Sequence, residues 1–202
     1  MRYDLFEDPL EWKNIAPVVR KSFIDKEVIG TIRLECDGGA FQNDLLDKRN
    51  DILYELLLLG KWDWVDIEYE NMDVLPRFIT AARETNTKVL TSHHNFVNAY
   101  SKEEYIAKAM EMTLKGSDAV KFSVMVKNES ELKSIYRFVE ENNDREMKLP
   151  LFSVFSMGEF AQHTRVKMPT LGAPCTYGYF GDIPPVSGQI SVKNLFQKLK
   201  KE

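Results

Sequence analysis

Read from its N-terminus, the chain alternates short, mostly apolar runs with longer stretches whose apolar positions recur every three or four residues. The short runs are Val28 to Leu34, Trp64 to Tyr69, Lys88 to His94, Ala119 to Val126, Leu149 to Phe155 and Thr170 to Phe180, and each reads as a strand. Met1 to Phe6 reads as the tail of a further strand. The longer stretches read as helices. The first carries Trp12, Ile15, Val18 and Val19 at helical spacing and is opened by Asp8 as N-cap with Pro9 in the first turn. A second runs from Leu45 to Leu59 and stops at Gly60, where glycine suits a left-handed cap. A third covers Leu75 to Arg83. A fourth follows Ser101, whose spacing to Glu104 is that of a capping box, and ends at Gly116. Two more run from about Asn128 to Asn142 and from Ser191 to Lys200. Gly38-Gly39, Ser156-Met157-Gly158 and the Pro/Gly-rich stretch from Gly181 to Gly188 mark loops.

Strands that alternate with helices predict a parallel α/β sheet, either doubly wound or closed into a (β/α)8 barrel. The reactive residue types favour the barrel: Arg33, Glu68, His94, Lys121 and Met157 fall within or just past successive strands, toward their C-terminal ends. A barrel assembles its site there from many strands, whereas a doubly wound sheet concentrates it at one crevice. No Gly-rich phosphate loop follows the first strand, which counts against a nucleotide fold.

Composition narrows the picture. At 202 residues the chain is expected to form a single domain over 1–202. The net charge of -4 argues against nucleic acid as a main partner. Cys36 and Cys175 without a disulfide framework, and the lack of an apolar leader run, predict a reduced, cytoplasmic setting. The apolar cluster from Leu53 to Leu59 is broken by Glu55 and is far short of a membrane span.

Lys121 sits in the middle of an apolar strand. Burying an unpaired ammonium is costly, so such a lysine is paired, solvated or chemically employed. In a dry pocket it can condense with a carbonyl to give an iminium, an electron sink; at a strand end it can equally snorkel to water. His94 can move protons near neutral pH or serve structurally, and of His93 and His94 only one can face inward. The divergent histidines, with no cysteine or carboxylate cluster at ligand spacing, argue against a metal site, and no cofactor is indicated. Arg33 and Arg165 have the guanidinium fork that matches a carboxylate. Asp66 and Glu68 alternate on one face of their strand and are expected to pair with Arg33 or Lys121 in the core. Gln189, after the Pro/Gly loop, is a candidate polar contact on a closing segment.

Taken together these segments resemble the type I 3-dehydroquinate dehydratases. Thr31-Ile32-Arg33 with Asp37-Gly38-Gly39 is similar to the family's T-x-R and E-G-G run, with Asp in place of Glu. Val65-Asp66-Ile67-Glu68 resembles the next strand, Ser92-His93-His94-Asn95-Phe96 the histidine motif, and Gly116-Ser117-Asp118 through Lys121 to Met125 the lysine strand. Ser156-Met157-Gly158 with Thr164-Arg165 resembles the S-M-G…S-R motif, with Ala161 and Thr164 as small substitutions, and Gly188-Gln189 ends the family's loop. The resemblance implies a TIM-barrel fold and elimination of water from 3-dehydroquinate through a lysine Schiff base. Lys121 would form the imine and His94 would be base and then acid. Arg165 would hold the substrate carboxylate, Arg2, Arg33 and Gln189 would contact hydroxyls, and Met157 would form an apolar wall.

The resemblance also has departures. Met1-Arg2-Tyr3-Asp4 aligns with the end of the family's second strand, so an incomplete barrel is expected, lacking the first strand and most of the second. The family glutamate that orients the histidine would fall two residues before Arg2, and Pro185 stands where the loop usually has a hydroxyl. An open sheet edge would also favour a homodimer. Two alternatives stay open beside the dehydratase: an inactive paralogue with a ligand-binding or structural role, and another Schiff-base barrel such as a class I aldolase.

Overall fold

The computed structural model describes residues 1–6, 8, 11–71, 73–143, 151–182, 184 and 188–201. Its strands β1 (Ile29–Gly30), β2 (Trp64–Glu68), β3 (Lys88–Asn95), β4 (Ala119–Met125) and β5 (Leu151–Met157) form one parallel sheet in the order β1-β2-β3-β4-β5. The helices are α1 (Trp12–Ser22), α2 (Leu46–Leu58), α3 (Leu75–Glu84), α4 (Lys102–Leu114), α5 (Glu129–Asn143), α6 (Ala161–Thr170) and α7 (Val192–Leu199). Sequential strands that are neighbours in space, each followed by a helix, are what the alternating pattern predicts. The chain divides into two compact units, residues 1–92 with 114–118, and residues 93–113 with 119–202.

In the first unit the opening residues pair as a strand tail: the Tyr3 amide donates to the Thr31 carbonyl at 2.9 Å and the Thr31 amide to the Met1 carbonyl at 3.0 Å. Tyr3 to Leu5 then turn as a 3-10 helix. Trp62 packs on the Tyr3 ring at 5.3 Å, and Trp12 lies against Tyr3 and Phe41 at 6.1 Å each. Leu53, Leu56 and Leu57 of α2, with Leu75, Phe78, Ala81 and Ala82 of α3, are buried with Ile32, Val65, Ile67 and Val89 in the core there. Gly39 is required by close approach, because a Cβ at that position would lie 2.0 Å from the Arg33 carbonyl oxygen.

In the second unit the register of β4 on β5 pairs Lys121 with Ser153, Ser123 with Phe155 and Met125 with Met157, so these residues share one face. The opposite face carries Val120, Phe122, Val124, Phe152 and Val154. Tyr105 of α4 meets Phe122 at 5.1 Å and Phe138 of α5 at 4.9 Å, and Phe138 meets Phe152 at 5.3 Å. Both faces of this pair of strands are therefore occupied, one by helices and one by the polar and aromatic residues of the candidate site. Val166, Ile190 and Leu195 form a smaller apolar cluster between α6 and α7.

Several local expectations hold in detail. Ser101 and Glu104 make the reciprocal capping box, the Ser101 amide donating to Glu104 at 2.8 Å and the Glu104 amide to the Ser101 hydroxyl at 3.3 Å. Gly60 and Gly116 adopt φ of 61° and 105° after their helices. Three expectations are corrected or shifted. The first helix begins at Trp12 with Glu11 before it; Asp8 accepts the Glu11 amide at 3.1 Å through its backbone, and Pro9 lies outside the described residues. Val18, at helical spacing, is 63% exposed, and the buried residues of that helix are Trp12 and Ala16. Thr170 to Phe180 is not a strand: Thr170 ends α6, and of the remainder only Tyr179 makes a bridge, to Ser191. Gly172, Pro174 and Gly178 prevent a ladder there, and the α6 helix was hidden because its apolar positions make no stripe and Pro169 sits near its end. Leu149 and Pro185 lie outside the described residues.

Candidate active site

Lys121 lies in the middle of β4 and is 8% exposed. Its Nζ stands 5.2 Å from the centre of the Tyr177 ring, and Tyr177 meets Phe155 edge to face at 5.2 Å. The guanidinium of Arg165, on α6, sits 5.6 Å from the other aromatic partner, Phe155. The structure thus brings Lys121 and Arg165 to one aromatic pair, with Met157 on the same strand face as Phe155. Ser153, beside Lys121 in register, lies 3.7 Å from the Cys175 sulfur.

Arg165 is 7% exposed. One Nη donates to the Ser156 carbonyl at 3.0 Å and to the Ala161 carbonyl, while its buried Nε has no hydrogen-bond partner among the described residues. No carboxylate pairs with it among the described residues. Burial alone pulls its guanidinium down to about 10, the mark of a cation held in a dry place without a counter-ion. Its backbone is tied by the Thr176 hydroxyl, which donates to the Arg165 carbonyl at 2.7 Å.

The turn after β5 brings the closing segment close. Gly158 takes φ of 74°, and Gly188 has φ of 81°, where a side chain is strained, and a Cβ there would also crowd that of Ala161 at 3.0 Å and the Gly158 carbonyl at 3.1 Å. That contact seats Gln189, half-buried, beside the turn from β5 into α6. His94, at the end of β3, is half-buried and its ring stacks on Phe96 with centroids 6.3 Å apart. Alternation puts it on the face of β3 that carries Ser92, while His93 points the other way, hydrogen-bonded to the Tyr100 hydroxyl.

In the first unit Arg33, 3% exposed, is held as a core ion pair. One Nη donates to Glu68 at 2.9 Å and to Ser92 at 2.7 Å, and the other donates to Asp66 at 2.6 Å. Arg49 of α2, fully buried, completes the network by donating to the second Glu68 oxygen and to the Ile32 carbonyl at 2.8 Å. Burial, then the charge of Arg33, pulls Arg49 down to about 10. Arg2 forks onto Asp4 at 2.7 and 2.5 Å, and Asp4 also accepts the Arg33 and Ala40 amides at 3.0 and 3.1 Å. Asp66 and Glu68 pair with Arg33, as expected. Arg49, Asp4 and Tyr177 were not singled out in the sequence. Arg49 was readable, because it continues the stripe of Leu53 and Leu56; Tyr177 was not, because it lies in the run misread as a strand.

Among the described residues no group of three or more His, Cys, Asp or Glu is placed to hold a metal ion. No described helix is long and apolar enough to cross a membrane.

The fold is that of a parallel α/β protein whose sheet carries a buried lysine in mid-strand, with a buried arginine that has no carboxylate partner among the described residues set against the same aromatic pair. The family model for type I 3-dehydroquinase matches residues 1–201, and the chain belongs to that family of hydro-lyases. It is 30% identical over 171 residues to the 3-dehydroquinate dehydratase of Archaeoglobus fulgidus, covering 84% of this chain and 76% of that protein. It is 25% identical over 205 residues to the 3-dehydroquinate dehydratase of Enterococcus faecalis, covering 98% of this chain and 79% of that protein. Among solved structures, type I 3-dehydroquinate dehydratase from Clostridium difficile superposes with a TM-score of 0.87 over 99% of this chain and 79% of that one, at 24% identity. The Enterococcus faecalis enzyme superposes at 0.80 with 25% identity, covering 99% of this chain and 80% of that one. The fold is thus α/β of the TIM-barrel type.

Proposed function

We propose that this chain is a 3-dehydroquinate dehydratase that removes water from its substrate through a Schiff base on Lys121. The observation that carries the reading is the pairing of a buried mid-strand lysine with a buried arginine that has no carboxylate partner among the described residues, both against Phe155 and Tyr177. A cyclic keto-acid offers each of them a group suited to its chemistry: a carbonyl for the amine and a carboxylate for the guanidinium.

The reaction follows from those assignments. Neutral Nζ of Lys121 adds to the C3 ketone, one of its protons passing to the oxygen; with one further proton from the medium that oxygen leaves as water, and the nitrogen keeps its last proton and the positive charge as an iminium. The iminium draws electrons from the adjacent carbon, so His94 can take the proton at C2. The electron pair left at C2 expels the C1 hydroxyl, which departs as water with the proton that His94 returns. Hydrolysis of the iminium then frees the product and the amine. Arg165 holds the carboxylate, Arg2, Arg33 and Gln189 contact hydroxyls, and Met157 closes the apolar side. The same reading carries a small-molecule substrate rather than nucleic acid, supported by the net charge of -4, and a cytoplasmic setting, supported by the free, exposed Cys36 and Cys175.

The test is incubation with 3-dehydroquinate and borohydride followed by mass spectrometry. A reduced adduct on Lys121, absent in Lys121→Met, together with product absorbance is the expected result. No adduct and no enone absorbance would overturn the reading.

A further inference from the structure

We propose that Tyr177 is a positioning residue whose ring face holds the positive charge on Lys121 Nζ and thereby stabilises the iminium over the neutral carbinolamine that precedes it. The inference rests on the Schiff-base reading and adds a residue to it. Nζ lies 5.2 Å from the ring centre, within the roughly 6 Å at which a cation is attracted by the ring quadrupole. Lys121 and Phe155 are buried, 8% and 2% exposed, and the Tyr177 ring is half-buried, so the attraction is less screened than in bulk water.

The ring is held from several sides although it lies in a segment without regular structure. Phe155 meets it at 5.2 Å with an interplanar angle of 83°, the edge-to-face arrangement that aromatic pairs favour. Just before it, Thr176 is tied to the Arg165 carbonyl at 2.7 Å. Just after it, the Tyr179 amide donates to the Ile190 carbonyl at 3.0 Å and the Val192 amide to the Tyr179 carbonyl at 2.9 Å. The same Phe155 that steadies Tyr177 lies 5.6 Å from the Arg165 guanidinium, so one aromatic pair serves both cationic positions.

The chemistry makes such a ring useful at one step. When the carbinolamine loses its hydroxyl as water, with one proton supplied from the medium, a neutral nitrogen becomes a cation at the place where the ammonium had been. A ring face there favours the charged species and is indifferent to the neutral one. Its loss lowers the ratio of iminium to carbinolamine by about tenfold, within the roughly twofold to thirtyfold range such contacts span, and the trapped fraction falls with it.

The experiment replaces Tyr177 by phenylalanine, by phenylalanines carrying one, two and three ring fluorines, and by leucine. Fluorine drains the negative face stepwise while the ring keeps its shape, so the series stays informative even if Tyr177→Leu does not fold. The readout is the fraction of chain trapped on Lys121 by borohydride at saturating 3-dehydroquinate. Tyr177→Phe close to the parent, with a graded fall along the fluorine series, is the expected result. A flat series, or Tyr177→Phe falling as far as Tyr177→Leu, would overturn the proposal. The same series is read with formaldehyde and borohydride, which pass through an iminium on any lysine. A graded effect on Lys121 there, with no adduct from 3-dehydroquinate in the parent chain, would support the ring contact and reject the dehydratase reading.

Discussion

Arg49 and Glu68 meet with both side chains fully buried, one reaching from α2 and the other ending β2. Glu68 also takes an N–H from Arg33 at 2.9 Å, so one carboxylate is shared by two arginines, and Asp66 at 2.6 Å balances the second. Buried charges of this kind are stable only as a set, because each one left alone loses its hydration and gains nothing.

Arg49→Met keeps the bulk and removes the charge. The variant is expected to lose about 3–5 kcal/mol of stability, the usual cost of breaking a buried pair from one side. Arg49→Met with Glu68→Gln is expected to lose less than the sum of the two single changes. Urea unfolding of the four proteins in the cycle checks this; additivity would mean that the two residues are not coupled.

Arg165→Lys keeps a cation but not the fork, and is expected to raise KM about tenfold to a hundredfold with a smaller effect on kcat. Because burial lowers the Arg165 guanidinium to about 10, carboxylate binding is expected to weaken as pH rises through that value. The sign for stability is the opposite. Between about 10 and the ordinary guanidinium value the unfolded chain holds a proton that the folded chain has released, so this group's contribution rises with pH there. Isothermal titration of Lys121→Met with substrate, across pH 8 to 11, reads the binding half without interference from that amine.

Asp4 governs the acid side. Burial pushes its carboxyl up, but the Arg2 side chain and the amides of Arg33 and Ala40 outweigh that and hold it below the usual carboxylate range. Its stabilising contribution is therefore complete above the ordinary value of about 4 and is lost as pH falls through the lower, folded value. Asp4→Asn is expected to cost about 1–3 kcal/mol at neutral pH, with the difference from the parent shrinking in acid. Thermal unfolding of both proteins between pH 7 and pH 2 measures it; a constant difference across that range would contradict the assignment.

Ser101→Ala removes half of the capping box at the start of α4. A loss of about 1 kcal/mol is expected. A shift of the urea midpoint with an unchanged slope identifies it as a local loss in the folded state. No change would show that the Ser101 hydroxyl contributes nothing beyond what water supplies.

Much of the architecture was legible because it is written in local pattern. Strands such as Trp64–Glu68 and Ala119–Met125 are short runs of mostly apolar residues, helix ends such as Gly60 and Gly116 need positive φ, and the Ser101-Glu104 box is a spacing rule. Local pattern fails over Thr170 to Phe180, expected as a strand, and leaves the helix before it unmarked for the same reason: α6 has no apolar stripe, and the run after it has apolar residues without the regularity that pairing needs. Its order comes from contacts with residues far along the chain, such as Tyr179 with Ile190.

The sequence by itself determined the alternation of strands and helices, the lysine in its apolar strand and the order of the motifs that mark a type I 3-dehydroquinase. Each of these depends on residue type and spacing along the chain. Tertiary structure alone decided which groups meet: that Arg33 is engaged by Asp66, Glu68 and Ser92, that Arg165 is buried without a carboxylate partner among the described residues, and that Tyr177 covers Lys121. Pairing in a dry interior depends on distances set by the packing of remote segments, and a linear order of residues does not carry those distances.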